Sequence, residues 1–371
     1  MIVMSGMFGG DPGQGGATWA VLQYALGLRK LGHDVLVLER VPELKPTSIA
    51  YFQSVMQEFD FGGRSAMFVA SNRDSVGLSY PMVSELTRSA DVLLDVSGMM
   101  AGSELIEQIP VRVYLDLDPA FNQLWYSVEG IDRGFDGHTH FATVGLAIGS
   151  PGCSVPKCDR TWITTLPPVV LDEWPMANGI NYEALTTVGN WRSYGPIEHN
   201  GIVYGQRAHS FRRFIELPTL TKERLAPALA IHPGDDRDMA ALSACGWELI
   251  DPATVASTPA AYRNFVEGSM AEFGIAKGGY VVSRSGWFSD RSACYLASGR
   301  PVLAQDTGFS EYLPTGDGLL AFNTIEEAVA GIDDLRRRYE THRRAARAFA
   351  EEFLDSDKVL TRLLDQVAGS S

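Results

Sequence analysis

A short apolar run, a glycine-crowded loop, a helix-periodic segment and a second apolar run follow one another within the first forty residues. This order constrains the fold more than any other feature of the chain. Met1-Ile2-Val3-Met4 is an unbroken apolar run of the kind buried on both faces of a parallel sheet. Gly6, Gly9, Gly10, Gly13, Gly15 and Gly16 crowd the next stretch. Ala17, Val21, Tyr24, Ala25 and Leu28 then recur at helical spacing, and Gly32 stands where a helix stops. Val35-Leu36-Val37-Leu38 is the second strand. Strand, glycine loop, helix, strand predicts a parallel sheet with right-handed crossovers, the Rossmann-like pattern.

The pattern continues. Ala66–Val69, Asp91–Val96, Val111–Leu115 and, more weakly, His140–Val144 read as further strands of the same sheet. Residues 149–181 break the rhythm with Pro151, Pro156, Pro167, Pro168 and Pro175, which marks a boundary. The second half resumes with strand candidates Leu185–Val188, Ala228–Ile231, Glu248–Ile250, Phe273–Ala276, Tyr280–Ser283 and Val302–Gln305. Helix candidates are Ser210–Leu217, Asp236–Cys245, Pro259–Met270, Asp290–Ala297, Ile325–Tyr339 and a tail from Thr341 to about Val367. A length of 371 residues suits two domains, here 1–170 and 171–354, with the segment 355–371 returning to the first. The expected class is α/β: two facing Rossmann-like domains with an interdomain cleft at the carboxyl edges of both sheets, where ligands bind in such folds.

Charge narrows the partners. Lys plus Arg number 31 against 45 Asp plus Glu, a formal net charge of -14. That balance speaks against nucleic acid, whose phosphates demand clustered cations. The basic stretch Arg336-Arg337-Arg338 with Arg343, Arg344 and Arg347 is interrupted by Asp333, Asp334, Glu340, Glu351 and Glu352, so it reads as a solvated face rather than a membrane contact. No run approaches ~18 consecutive apolar residues. The opening residues lack a basic region and a cleavage site. A cytoplasmic protein is expected, with oligomeric state left open. Four cysteines make no disulfide framework, and His138-x-His140 before Cys153-x4-Cys158 does not match a standard zinc spacing, so no metal site is assigned.

The glycine loop can present backbone N–H groups and a helix start to an anion or an acceptor, through Gln14, Gly15 and Gly16. It is not a dinucleotide fingerprint, because Thr18 occupies the third glycine position. Glu39 after the second strand is the one residue that mimics a nicotinamide ribose acid.

The most specific stretch is residues 272–322. Glu272-Phe273-Gly274-Ile275-Ala276-Lys277, the loop Ser285-Gly286-Trp287-Phe288-Ser289-Asp290-Arg291, a helix ending in Ser298-Gly299-Arg300-Pro301-Val302, then Gly308-Phe309-Ser310-Glu311-Tyr312-Leu313 and Gly316–Phe322 before a helix follow in order. This order resembles the donor half of GT-B glycosyltransferases, in particular their family-four-like branch. The resemblance extends loosely to the N-terminal glycine loop and Leu31-Gly32-His33-Asp34-Val35. It implies transfer of a sugar from a nucleoside-diphosphate sugar to a hydroxyl on a small-molecule or glycan acceptor. No metal or further cofactor is implied, because cations and a helix start neutralise the departing diphosphate.

On that resemblance the donor would meet Arg207, Lys277, Gly286, Ser289, Asp290 and Arg291. Lys277 and Arg207 would face the diphosphate and Asp290 the ribose, while Ser289 serves equally as a helix cap. Retaining members carry two glutamates where this chain has Gly286 and Cys294. The stereochemical outcome therefore stays open, and an inverting reaction would take its general base from Asp118, Asp116 or, as second choice, His138 or His140. Two other readings stay open: a nucleotide-sugar epimerase built on Asp116, Asp118 and Glu272, and a nucleotide-sugar-binding protein that has lost its chemistry.

Overall fold

Parallel strands need a long return connection, and the first half supplies one after nearly every apolar run. In the computed structural model, which describes residues 1–369, β1 (Ile2–Ser5), β2 (Val35–Arg40), β3 (Ser65–Phe68) and β4 (Ser75–Gly77) are followed by β5 (Val92–Val96), β6 (Val111–Asp116), β7 (His140–Thr143) and β8 (Trp162–Thr164). They form one sheet in the order β4-β3-β2-β1-β5-β6-β7-β8, parallel except for β3 with β4. Strand order reverses between β1 and β5, so the glycine loop and Ser97 flank the crevice this topology opens.

After Thr164 the proline-rich stretch carries the chain out of this sheet. The second sheet comprises β9 (Tyr182–Asn190), β12 (Leu225–Ala230), β13 (Ser269–Gly274), β14 (Val302–Gln305) and β15 (Leu319–Phe322), all parallel, in the order β12-β9-β13-β14-β15. Between β9 and β12 a hairpin of β10 (Ile197–His199) and β11 (Ile202–Tyr204) stands apart. Two strand expectations fail. Tyr280–Ser283 lies in a short helix, Gly278–Ser283, because only a few residues separate it from β13, too few for a parallel crossover. Glu248–Ile250 reduces to one bridge between Ile250 and Ala228.

The halves share much of their interior. Phe121, Leu124 and Ile148 of the first half pack with Ile197, Tyr204, Ala276 and Tyr280 of the second. Backbone bonds cross as well: Leu146 and Ala147 N–H donate to the Gly286 and Ser285 carbonyls, at 3.3 and 3.0 Å. Gly286 has φ +70°, and a Cβ there would lie 2.6 Å from the Ala147 nitrogen, so only glycine fits this crossing.

The helix Gly15–Lys30 is enclosed on nearly every side. The tail helix Ser356–Gly369 lies along it with Leu360 against Gly27, and Val169 bridges to Asp355 beside them. Ser370 and Ser371, the end of the segment expected to return to the first half, lie outside the described residues. Leu360 is fully buried. Leu360→Ala should cost about 2–5 kcal/mol of stability, measured by chemical denaturation, because the site is clamped between two helices and cannot collapse.

Candidate functional site

The carboxyl edges of both sheets open on a single cavity of about 930 Å³. From the first half it is lined by Gly13, Gln14, Gly16 and Ala17, by Val96 and Ser97 after β5, and by Leu117 and Asp118 after β6. From the second half come Val188, Gly189 and Asn190 at the end of β9, Arg207, Lys277, and Ser289, Asp290 and Arg291 at one helix start. The topology explains most of this convergence, since the segments after β1, β5, β6, β9 and β13 all leave the carboxyl ends of sheet strands.

Three cations stand on the second-half wall, and each is held differently. Arg291 is buried, with Nε 2.5 Å from Oε1 of Glu272, itself fully buried on β13, and a guanidinium N–H on the Val188 carbonyl. Although burial opposes its charge, Glu272 and the neighbouring anions hold its guanidinium above the ordinary arginine range. Lys277 Nζ lies 3.0 Å from both carboxylate oxygens of Asp118 and 2.6 Å from the Tyr194 hydroxyl. It also sits over the rings of Phe121, Tyr194 and Tyr280, 4.6–5.3 Å from their centroids. Burial pulls the Lys277 ammonium below the usual lysine range, and Asp118 opposes that pull.

Arg207 is the exception. It is 8% exposed, and one guanidinium N–H donates to the Ile275 carbonyl at 2.8 Å. Its Nε has no partner, and among the described residues no carboxylate pairs with it. Burial, with the like charge of Arg291 adding, lowers its guanidinium to about 9. A buried cation with an unused donor at a cavity wall costs free energy that an anion placed there would offset.

The first-half residues divide. Asp118 lines the cavity, but its oxygens accept from Lys277, from the Tyr194 hydroxyl at 2.6 Å and from the Tyr280 hydroxyl. Asp116 is fully buried and lies outside the lining. Burial raises its carboxyl, opposed by donors on Gln123, Asn122 and Thr143. It also accepts the Asp118 N–H at 3.1 Å, so it shapes the loop that carries Asp118. His138 lies away from the cavity, between the Gly134 carbonyl at 2.7 Å and Asp95 at 3.0 Å. His140 touches the Thr139 hydroxyl at 2.9 Å, also outside the lining.

The glycine loop is partly occupied by the protein itself. Glu39 accepts the Gly9 and Gly10 N–H groups at 2.9 and 2.6 Å. Gly15 donates its N–H to the Ala256 carbonyl at 2.7 Å, and a Cβ on Gly15 would lie 2.2 Å from the Thr258 oxygen. Gly15 is therefore a close crossing between the halves, whereas Gln14 and Gly16 face the cavity. Gly286 is the other crossing, outside the lining. Ser289 spends its hydroxyl on capping, accepting from the Arg291 N–H at 3.2 Å. Asp290 lines the cavity with its carboxyl raised by burial, against the opposing charge of Arg291. Cys294 is buried under Gln23, at 3.8 Å. Among the described residues no three His, Cys, Asp or Glu side chains converge to hold a metal ion, and no helix is long and apolar enough to cross a membrane.

Sequence reasoning missed Tyr194 and Tyr280. Tyr280 lies three residues after Lys277, on the helix that Lys277 precedes, a signal the strand reading of that segment hid. Nothing local marks Tyr194.

Neither protein-family models nor curated proteins match this chain. Solved structures do match in fold. An alpha-glucosyltransferase in complex with UDP-glucose and DNA containing an abasic site aligns with TM-score 0.64 at 12% identity, covering 99% of this chain and 98% of its own. Anabaena HepE in complex with UDP and glucose aligns with TM-score 0.59 at 10% identity, over 100% of both chains. A glycosyltransferase from Rickettsia africae gives 0.55 at 12% identity, over 99% and 97%. The likeness is one of architecture, over the full chain, to the same class of proteins that the residue pattern of 272–322 resembles.

The state of Arg207 makes a testable difference. Its folded pKa, about 9, lies below the ordinary arginine range, so above pH 9 the unfolded chain holds more protons and stability rises with pH. The wild type should therefore gain on Arg207→Met as pH rises above 9, by up to about 1.4 kcal/mol per pH unit, in denaturation series on both proteins.

Proposed function

We propose that the chain is a glycosyltransferase of the GT-B type, moving a sugar from a nucleoside-diphosphate sugar to an acceptor hydroxyl. The observation that carries this is the buried, unpaired Nε of Arg207, beside Arg291 and Lys277 on one wall of a cavity lined from both sheets. Three cations on one wall suit a diphosphate, whose negative charge grows as it leaves. The UDP and UDP-glucose bound by proteins of like fold support the nucleotide part of the reading. Residues 1–170 with the tail would form the acceptor lobe and 171–354 the donor lobe, the cavity being the cleft between them. With Arg207, Arg291 and Lys277 neutralising the diphosphate, the reading calls for no metal.

In this reading the acceptor hydroxyl gives its proton to Asp118. Its oxygen forms a bond to the anomeric carbon, and the bond from that carbon to the phosphate oxygen breaks, the electron pair leaving with the nucleoside diphosphate. Asp118 is the best-placed carboxylate because it lines the cavity on the first-half wall, with Asp116 fixing its loop. Lys277, Tyr194 and Tyr280, however, already donate to it. A diphosphate competes for Lys277, and its arrival frees Asp118 to accept a proton. Donor binding thus precedes base activation.

Titration calorimetry with UDP, GDP and ADP, followed by assay of UDP release from UDP-glucose, tests the reading. A micromolar nucleoside diphosphate that stabilises the protein supports it; no affinity for any of the three overturns it. Arg207→Ala should weaken the preferred nucleotide at least tenfold. Asp118→Asn should act in opposite directions, lowering turnover at least a hundredfold while tightening nucleoside diphosphate binding severalfold, because Lys277 loses its internal anion. Weaker nucleotide binding in that variant would remove the competition from the scheme.

A further inference from the structure

The acceptor class is written in the first-half wall of the cavity. The helix Gly15–Lys30 turns Gly16, Ala17, Ala20 and Val21 toward the space, and Val96 and Leu117 continue the same wall. These positions follow the i, i+1, i+4, i+5 rhythm of one helical face, and their small side chains leave room. Polar atoms on this wall are few: the loop around Gly13 and Gln14, Ser97, and Asp118. Asp118 is the only charged side chain that the first half brings to the cavity, and it is an anion; every cation that lines the space belongs to the second half. Around the wall, residues 1–170 carry eleven basic against eighteen acidic side chains. A volume of about 930 Å³ lies at the top of the range for single small-ligand sites, so there is room for an acceptor beside a nucleotide sugar.

We infer that the acceptor is an uncharged hydroxyl compound with an apolar portion, bound against Ala17, Ala20, Val21, Val96 and Leu117 with its hydroxyl at Asp118. This rests on the transferase reading above. An anionic acceptor finds no cation on this wall, and its charge would be brought to a carboxylate in a partly desolvated space. An extended polyanion such as DNA, present in some complexes of proteins with this fold, meets a net negative lobe. The apolar portion gains by burying methylenes, each fully buried one contributing about 0.8 kcal/mol.

The test uses the full-length protein with UDP-glucose as donor and four acceptors: hexyl glucoside, methyl glucoside, glucose 6-phosphate and a 13-mer DNA duplex. Hexyl glucoside should exceed methyl glucoside at least tenfold in kcat/KM, and both should exceed the phosphate and the DNA. Ala20→Asp should raise KM for hexyl glucoside toward that of methyl glucoside, while UDP affinity, measured by calorimetry, reports whether the nucleotide site still stands. Equal use of the two glucosides, preference for glucose 6-phosphate, transfer to DNA, or no transfer to any glucoside by protein that binds UDP each overturns the inference and leaves the donor site standing. Absence of binding of UDP, GDP and ADP alike to the wild type overturns both.

Discussion

One ion pair ties the two halves together where they matter most. Asp118 stands at the carboxyl edge of the first sheet and Lys277 at that of the second, 159 residues apart in the chain. The pair is only partly exposed, 24% for Asp118 and 17% for Lys277. In such surroundings each charge is tolerable because the other is there, and removing one strands its partner. Tyr194 and Tyr280 complete the set of donors on Asp118, and the rings of Phe121, Tyr194 and Tyr280 surround the ammonium. The relative placement of the sheets, the shape of the cavity and the resting state of the proposed base all pass through this contact.

The neighbouring cations show the same economy, applied unevenly. Arg291 is matched by Glu272, and Lys277 by Asp118. Among the described residues no carboxylate pairs with Arg207, whose Nε has no partner, and its burial opposes its charge. Natural proteins accept such a cost where a ligand will later remove it. In the proposed reading, this wall of one internally satisfied cation, one exchangeable cation and one unsatisfied cation favours an anionic ligand and sets a graded order in which contacts change hands.

The Rossmann-like layers were legible because their strands are continuous apolar runs, and β1, β2, β5 and β14 lie where those runs lie. The glycine loop was legible as a loop, but not its internal partners: Glu39 reaches Gly9 and Gly10 from 30 and 29 residues away. Arg207, Lys277 and Asp118 could each be singled out by position after a strand. That Lys277 and Asp118, chosen for separate tasks, neutralise one another is a tertiary fact, with no trace in local spacing. The hairpin β10–β11 and the helix at Gly278–Ser283 escaped for a related reason: short apolar segments take their conformation from what covers them. His138, a second-choice base on its sequence position, is instead sealed against Asp95.

The tail helix Ser356–Gly369 carries a consequence for biogenesis. It covers the helix Gly15–Lys30, so the burial of an early helix is finished by a segment made much later in the chain. A nascent chain of residues 1–170 can form its sheet, yet must hold an incompletely covered apolar helix in water until the tail helix has been made. Such a chain is exposed to sticking and to chaperones during synthesis, and it gains its full cooperativity only once the tail helix has docked.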